Sequence, residues 1–161
     1  KIADAVNLED ASGKISSTNV RNALREGDVK TAAALLDRPF AIEGEVSQGD
    51  QRGRLLGFPT ANIALGEYLR PKFGVYAVRA HLPSGRTVPG VANLGSRPTV
   101  NGTEARLEAH LFDFSGDLYG ATLSIALVEY LRPEEKFDGL DALIVQMDAD
   151  SARAREILAA L

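Results

Sequence analysis

Apolar residues recur along this chain in two rhythms, and the change of rhythm divides it. Up to residue 38 the spacing is helical. Val20 and Leu24 lie four apart after Ser16-Ser17-Thr18, and Gly27 ends that short helix. Asp28 predicts the N-cap of a second helix carrying Ala32, Ala33, Leu35 and Leu36, because its carboxylate can accept from first-turn amides. Arg38-Pro39 stops it, since proline disfavours helical backbone in the residue before it.

From Pro39 the period becomes two. Phe40 to Val46 alternates loosely, whereas Gly74 to Leu82 sets Tyr76, Val78, Ala80 and Leu82 on one face and Arg79 and His81 on the other. Pro83-Ser84-Gly85 predicts a turn, and Arg86 to Leu94 a returning strand that Pro89-Gly90 interrupts. Ala105 to Phe112 places Leu107, Ala109 and Leu111 opposite Arg106, Glu108 and His110. After a turn at Ser115-Gly116-Asp117, Thr122 to Leu131 carries Leu123, Ile125 and Leu127 on one face. The end is helical again, through Leu140, Leu143, Ile144, Met147, Ala154, Ile157, Leu158 and Leu161, with Asp138 as the expected N-cap. About six short strands between Gly- and Pro-rich turns predict a sandwich or barrel. The expected architecture is mainly β: a small barrel, a short helical N-terminal segment and a long C-terminal helix.

Composition narrows the function. A chain of 161 residues fits one domain with a small appendage. An apolar share of 45% excludes a disordered chain, and no run approaches the roughly 20 apolar residues of a spanning helix. Eighteen Lys and Arg against 22 Asp and Glu give −4, which argues against a broad nucleic-acid surface but not against a local anion site. The absence of cysteine excludes disulfides and thiolate metal sites and suits a reducing cytoplasm. The start, Lys1-Ile2-Ala3-Asp4-Ala5, carries no secretory signal, and the missing Met implies a chain processed or cut from something longer.

The stretch most suggestive of chemistry runs from Gly49 to Asn62, Gly-Asp-Gln-Arg-Gly-Arg-Leu-Leu-Gly-Phe-Pro-Thr-Ala-Asn. Glycines let backbone amides approach an anion, and Arg52 and Arg54 add charge-assisted donors. No Gly-Lys-Ser/Thr follows, so this is not a Walker A loop. If residues 60 to 62 are extended, Thr60 and Asn62 point to one side and offer two hard oxygens, which suits Mg²⁺ travelling with a nucleotide. A surface turn leading into a strand accounts for the same residues.

Gly57-Phe58-Pro59-Thr60-Ala61-Asn62 resembles the signature of riboflavin kinases, and specifically of the kinase module of bifunctional bacterial FAD synthetases. The resemblance continues in order through Phe73-Gly74-Val75-Tyr76, Asn93-Leu94-Gly95-Ser96-Arg97-Pro98-Thr99, Leu107-Glu108-Ala109-His110-Leu111, Asp117-Leu118-Tyr119-Gly120 and Leu131-Arg132-Pro133-Glu134-Glu135-Lys136-Phe137-Asp138. It implies a six-stranded antiparallel Greek-key β-barrel with a C-terminal helix, and ATP, Mg²⁺ and riboflavin as ligands. It also implies site roles: Thr60 and Asn62 at the metal and phosphates, Gly53, Arg54 and Gly57 on the nucleotide side, Glu108 as catalytic base, and Phe137 and Asp138 on the flavin side. Lys14 to Arg21 resembles the last nucleotide motif of the adenylyltransferase module that precedes such kinases. A His-x-Gly-His element is absent upstream, so residues 1–20 are expected to be a remnant of that domain, 21–38 a helical linker and 39–161 the kinase barrel, making FMN but not FAD.

Plain alternatives stand beside these roles. Most strand glutamates like Glu108 are solvated carboxylates. His81 and His110 read as surface histidines and Tyr119 as a packing residue. Arg97 could touch phosphate or brace its loop. Phe137 could stack on a flavin or staple the last helix. A non-catalytic flavin- or nucleotide-binding barrel would keep the apolar pattern, and an oligonucleotide-binding barrel would need a basic, aromatic face that this chain lacks.

Overall fold

A computed structural model describes residues 17–47, 60–65, 70–114 and 116–161. In chain order they form α1 (Ser17–Arg25), α2 (Val29–Leu36), β1 (Ala41–Glu45), β2 (Ala61–Ala64), β3 (Gly74–His81), β4 (Thr87–Thr99), β5 (Gly102–Leu111), β6 (Thr122–Arg132) and α3 (Leu140–Ala159).

The cap of α2 forms as expected: Asp28 accepts from the Thr31 amide at 3.1 Å and from its hydroxyl at 2.6 Å. Asp37, in left-handed backbone at φ 58°, closes the helix before Pro39. Val20, Leu24, Val29, Ala32 and Leu36 belong to the same buried cluster as the barrel interior, so both helices contribute to the main core.

The strands form one antiparallel sheet in the order β1-β6-β3-β4-β5-β2. β3, β4 and β5 follow one another, and β6 returns beside β3, which is the Greek-key order. The outer strands meet where Ser47 bridges Asn62, its amide donating to the Asn62 carbonyl at 2.8 Å, and the sheet nearly closes. Tyr76, Val78, Ala80, Leu107, Ala109, Leu111, Leu123, Ile125 and Leu127 all point inward, as their alternation predicts. Each such large apolar side chain removed from water contributes about 1.5–3 kcal/mol.

A second cluster lies on the outer face. Val75, Ala77, Val91, Phe112 and Leu131 pack there with Ala154 and Leu158 of α3. Two register shifts between β3 and β6 insert Val128 and Leu131 as extra residues, and both turn toward this cluster.

Three expectations are corrected. Pro89-Gly90 does not interrupt β4, which runs on for 13 residues. Pro89 lacks an N–H, yet its carbonyl still accepts from the Phe112 amide at 2.9 Å, and Gly90 leaves room for the His110 carbonyl that a Cβ would strike. Asp138 does not cap α3; Gly139 holds the N-cap position with no side-chain bond. Tyr119 does not pack, being 61% exposed. The apolar stripe of α3 is also only partly used. Ala154, Ile157 and Leu158 reach the sheet, whereas Leu140 and Leu161 are exposed.

Candidate functional site

Strand register gathers polar residues into one row on the outer face. Asn62 of β2 lies directly opposite Glu108 of β5, and Glu108 lies directly opposite Asn93 of β4. Paired residues of antiparallel strands point the same way, and neighbouring strands run about 4.8 Å apart. Glu108 therefore has a carboxamide on either side, one strand away. The alternation fixes this orientation, because Ile63, Leu107 and Leu94 are the inward members of the same three strands.

Both carboxamides are unusual. Asn62 is 3% exposed despite its outward phase. Its Oδ1 and that of Asn93 are shut from solvent and meet no donor among the described residues. A buried polar atom left unmatched costs about 1–3 kcal/mol. Two in one row, on either side of a carboxylate, form a set of acceptors suited to an incoming donor or cation. Thr60, half-buried, immediately precedes β2. The Asn62 Oδ1 fits Mg²⁺, a hard ion that takes few protein ligands and completes its shell with water and phosphate. No cluster of three His, Asp or Glu side chains able to cage a metal occurs among the described residues, and a phosphate-borne ion needs none.

Arg106 and His110 flank Glu108 on the same strand face. Arg106 pairs with Glu104 at 2.6 Å and lies opposite Gly95. A Cβ on Gly95 would come within 2.5 Å of the Glu134 carboxylate, so the absence of a side chain lets a second acid lie over this face. His81 is exposed, as expected, and shares a hydrogen bond with the Thr87 hydroxyl at 3.0 Å. His110 is not a surface residue. It is half-buried edge-on to Phe112, with ring centroids 5.7 Å apart. Burial first, and the Arg155 charge second, hold its pKa below the ordinary histidine value. Arg155 in turn lies over the Phe112 ring at 4.3 Å and pairs with Asp113 at 2.9 Å.

The row continues from Asn93 through Val75 to Arg132 on β6. Arg132 donates to both oxygens of the buried Asp150 at 2.9 and 2.7 Å, and Gln146 adds a third bond at 2.9 Å. The Arg132 guanidinium also lies over the Phe137 ring at 5.8 Å. Phe137 thus lies beside Arg132, in the loop that follows β6, and Asp138 is exposed. Gly53, Arg54 and Gly57 lie outside the described residues, as does the Arg97 side chain. A cleft of 790 Å³ opens beyond Ala64, where Arg21, Arg25, Arg70 and Lys72 outnumber Glu104.

The fold therefore brings Asn62 and Glu108 together, while Phe137 lies against Arg132 of β6 and Asp138 is exposed. Sequence reasoning assigned no role to Asn93, Arg132 or Asp150. Their signals were a polar residue between Ala92 and Leu94 in an apolar strand, and an acid on the stripe that carries Ala154 and Leu158.

Comparison with known proteins places these residues in context. A family model described as "Flavokinase: Riboflavin kinase" matches residues 36–158. A bifunctional riboflavin kinase/FMN adenylyltransferase from Haemophilus influenzae is 46% identical over 142 residues, covering 88% of this chain and 46% of that protein. The chain thus spans about half the length of the curated relatives it matches. A crystal structure described as a macrolide-efflux protein from Streptococcus pneumoniae superposes with a TM-score of 0.82 at 40% identity, over 92% of this chain and 49% of that one. A riboflavin kinase structure from Trypanosoma brucei gives 0.53 at 25% identity, over 74% and 80%. With the family model matching more than half of its length and with a Greek-key barrel whose register aligns Asn62 and Glu108, this chain belongs to the riboflavin kinase family.

Proposed function

We propose that this chain transfers the γ-phosphate of ATP to the 5′-hydroxyl of riboflavin, yielding FMN and ADP. The observation that carries this reading is the direct pairing of Asn62 with Glu108 on one face of a chain of this family. Phosphoryl transfer asks for positioning and charge neutralisation more than for covalent chemistry. Glu108 accepts a hydrogen bond from the ribityl hydroxyl and takes its proton as the oxygen–phosphorus bond forms and the bond to ADP breaks. Thr60 and Asn62 would hold Mg²⁺, which when bound offsets phosphate charge. Gly53, Arg54 and Gly57 serve the nucleotide, and Phe137 and Asp138 the flavin.

The domain reading follows the same line. Residues 1–20 belong to a preceding adenylyltransferase module, the protein's own partner domain. Residues 21–38 connect it to the kinase while lending Leu24, Val29, Ala32 and Leu36 to the barrel core. Residues 39–161 carry the kinase, which works in the cytoplasm on small molecules, without nucleic acid or membrane.

Incubating the chain with riboflavin, ATP and Mg²⁺ and separating the flavins by chromatography is expected to give FMN and no FAD. No FMN would overturn the kinase reading, and FAD would overturn the domain reading. Glu108→Gln is expected to lower turnover by about 10²–10⁴-fold while riboflavin binding persists. Loss of binding with unchanged turnover of bound substrate would remove Glu108 from the role of base.

A further inference from the structure

Asn93 has no role in the reading above, yet it is the mirror of Asn62 about Glu108. Both lie one strand from the carboxylate, on the same face, and both have an Oδ1 without a donor among the described residues. Their surroundings differ. Asn62 is at the β2 edge, next to Thr60 and the end of the glycine-rich segment, whereas Asn93 lies on the flavin side, toward Val75, Arg132 and Phe137. Asn62 and Asn93 stand two strand spacings apart, about 10 Å. One ion cannot bridge that gap, so Asn93 needs a different ligand from Asn62.

We infer that Asn93 is a substrate-binding residue whose carboxamide hydrogen-bonds a ribityl hydroxyl neighbouring the one that Glu108 orients. This inference rests on the flavokinase reading and extends it. A polyol fits the geometry because its hydroxyls stand in series. One placed at Glu108 puts another within reach of the adjacent strand. It also fits the chemistry. A hydroxyl both donates and accepts, and the terminal torsion of asparagine is broad and roughly two-fold, so the carboxamide can turn to present either its oxygen or its nitrogen. Asn93 is half-buried with its Oδ1 shut from solvent, so a ligand meets that atom as the carboxamide turns. The unmatched Oδ1 is then a feature of the unliganded protein, maintained at a cost in stability and matched only when the polyol binds.

That last point supplies a test in which two readouts move in different directions. Asn93→Val removes the buried Oδ1 that meets no donor among the described residues, together with the amide nitrogen, and installs a good strand former. The thermal midpoint without ligand is expected to hold or rise. Riboflavin affinity, followed by quenching of flavin fluorescence, is expected to fall about tenfold, the range of one lost neutral hydrogen bond. Affinity for lumiflavin, which has the ring but no ribityl chain, is expected to stay unchanged. Equal losses for both flavins, or a lowered midpoint, would assign Asn93 to the scaffold and overturn the inference. Unchanged riboflavin affinity would also overturn it. Asn93→Ser, which keeps a short hydroxyl, is expected to lose less riboflavin affinity than Asn93→Val. A wild-type chain that makes FMN while Asn93→Val keeps full affinity defeats this inference alone. A wild-type chain that neither binds riboflavin nor makes FMN defeats the flavokinase reading with it.

Discussion

At the scale of single residues, the outer face shows how burial turns ordinary polar side chains into specific ones. Glu108, Arg106 and His110 were legible as one polar strand face, and they share one. What alternation could not convey is how deep that face lies, because depth comes from chain segments remote in sequence. His110 is the clearest case, with Phe112 and Arg155 converting an apparent surface histidine into a half-buried one. Its lowered pKa means that, as pH falls, the unfolded chain binds the proton first. The associated stability is complete above the unfolded value of about 6.5 and declines as pH falls from there through the folded pKa. His110→Gln should remove that component. Urea midpoints measured between pH 7.5 and about 5 should slope less in the variant than in the wild type. An identical slope would show that His110 does not titrate with folding.

At the scale of elements, the strands were the most readable part, since each inner face is a run of alternate apolar positions. The errors have identifiable causes. Pro89-Gly90 carries a strong turn signal, but strand pairing on both sides of β4 overrides it, and the glycine fits because the β5 backbone passes too close for a side chain. Asp138 looked like a cap because of its residue type, although the helix begins one residue later than that reading required. The polar residue on the buried stripe of α3 proves to be its anchor. Asp150 ties the helix to β6 through the paired bonds to Arg132, and the same guanidinium holds Phe137. Asp150→Ala is expected to cost about 2–3 kcal/mol in denaturant unfolding, the worth of charge-assisted bonds lost from a largely buried pair. A loss under about 0.5 kcal/mol would show that apolar packing alone docks α3.

At the scale of the whole molecule, two apolar clusters divide the work. The inner one fills the barrel and recruits both N-terminal helices, while the outer one seats α3 and leaves the rest of that face to Asn62, Glu108 and Asn93. Both clusters follow from the strand pattern, but the row of polar residues depends on which strands become neighbours, and no local rhythm encodes that. Closure of the barrel has a consequence of its own. Among the described residues the ring is joined between its outer strands by a bridge from Ser47 to Asn62, so the residue proposed to offer its side chain to a nucleotide's metal also holds the seam with its carbonyl. Isolated contacts of this kind open most readily. Deuterium should therefore enter at the Ser47 amide long before it reaches Val78 on the central strand, and riboflavin with ATP and Mg²⁺ should slow uptake at Ser47 while leaving Val78 unaffected. Occupying the pocket would then act as a latch for the whole cylinder, and equal uptake at Ser47 with and without substrates would show that the latch does not exist.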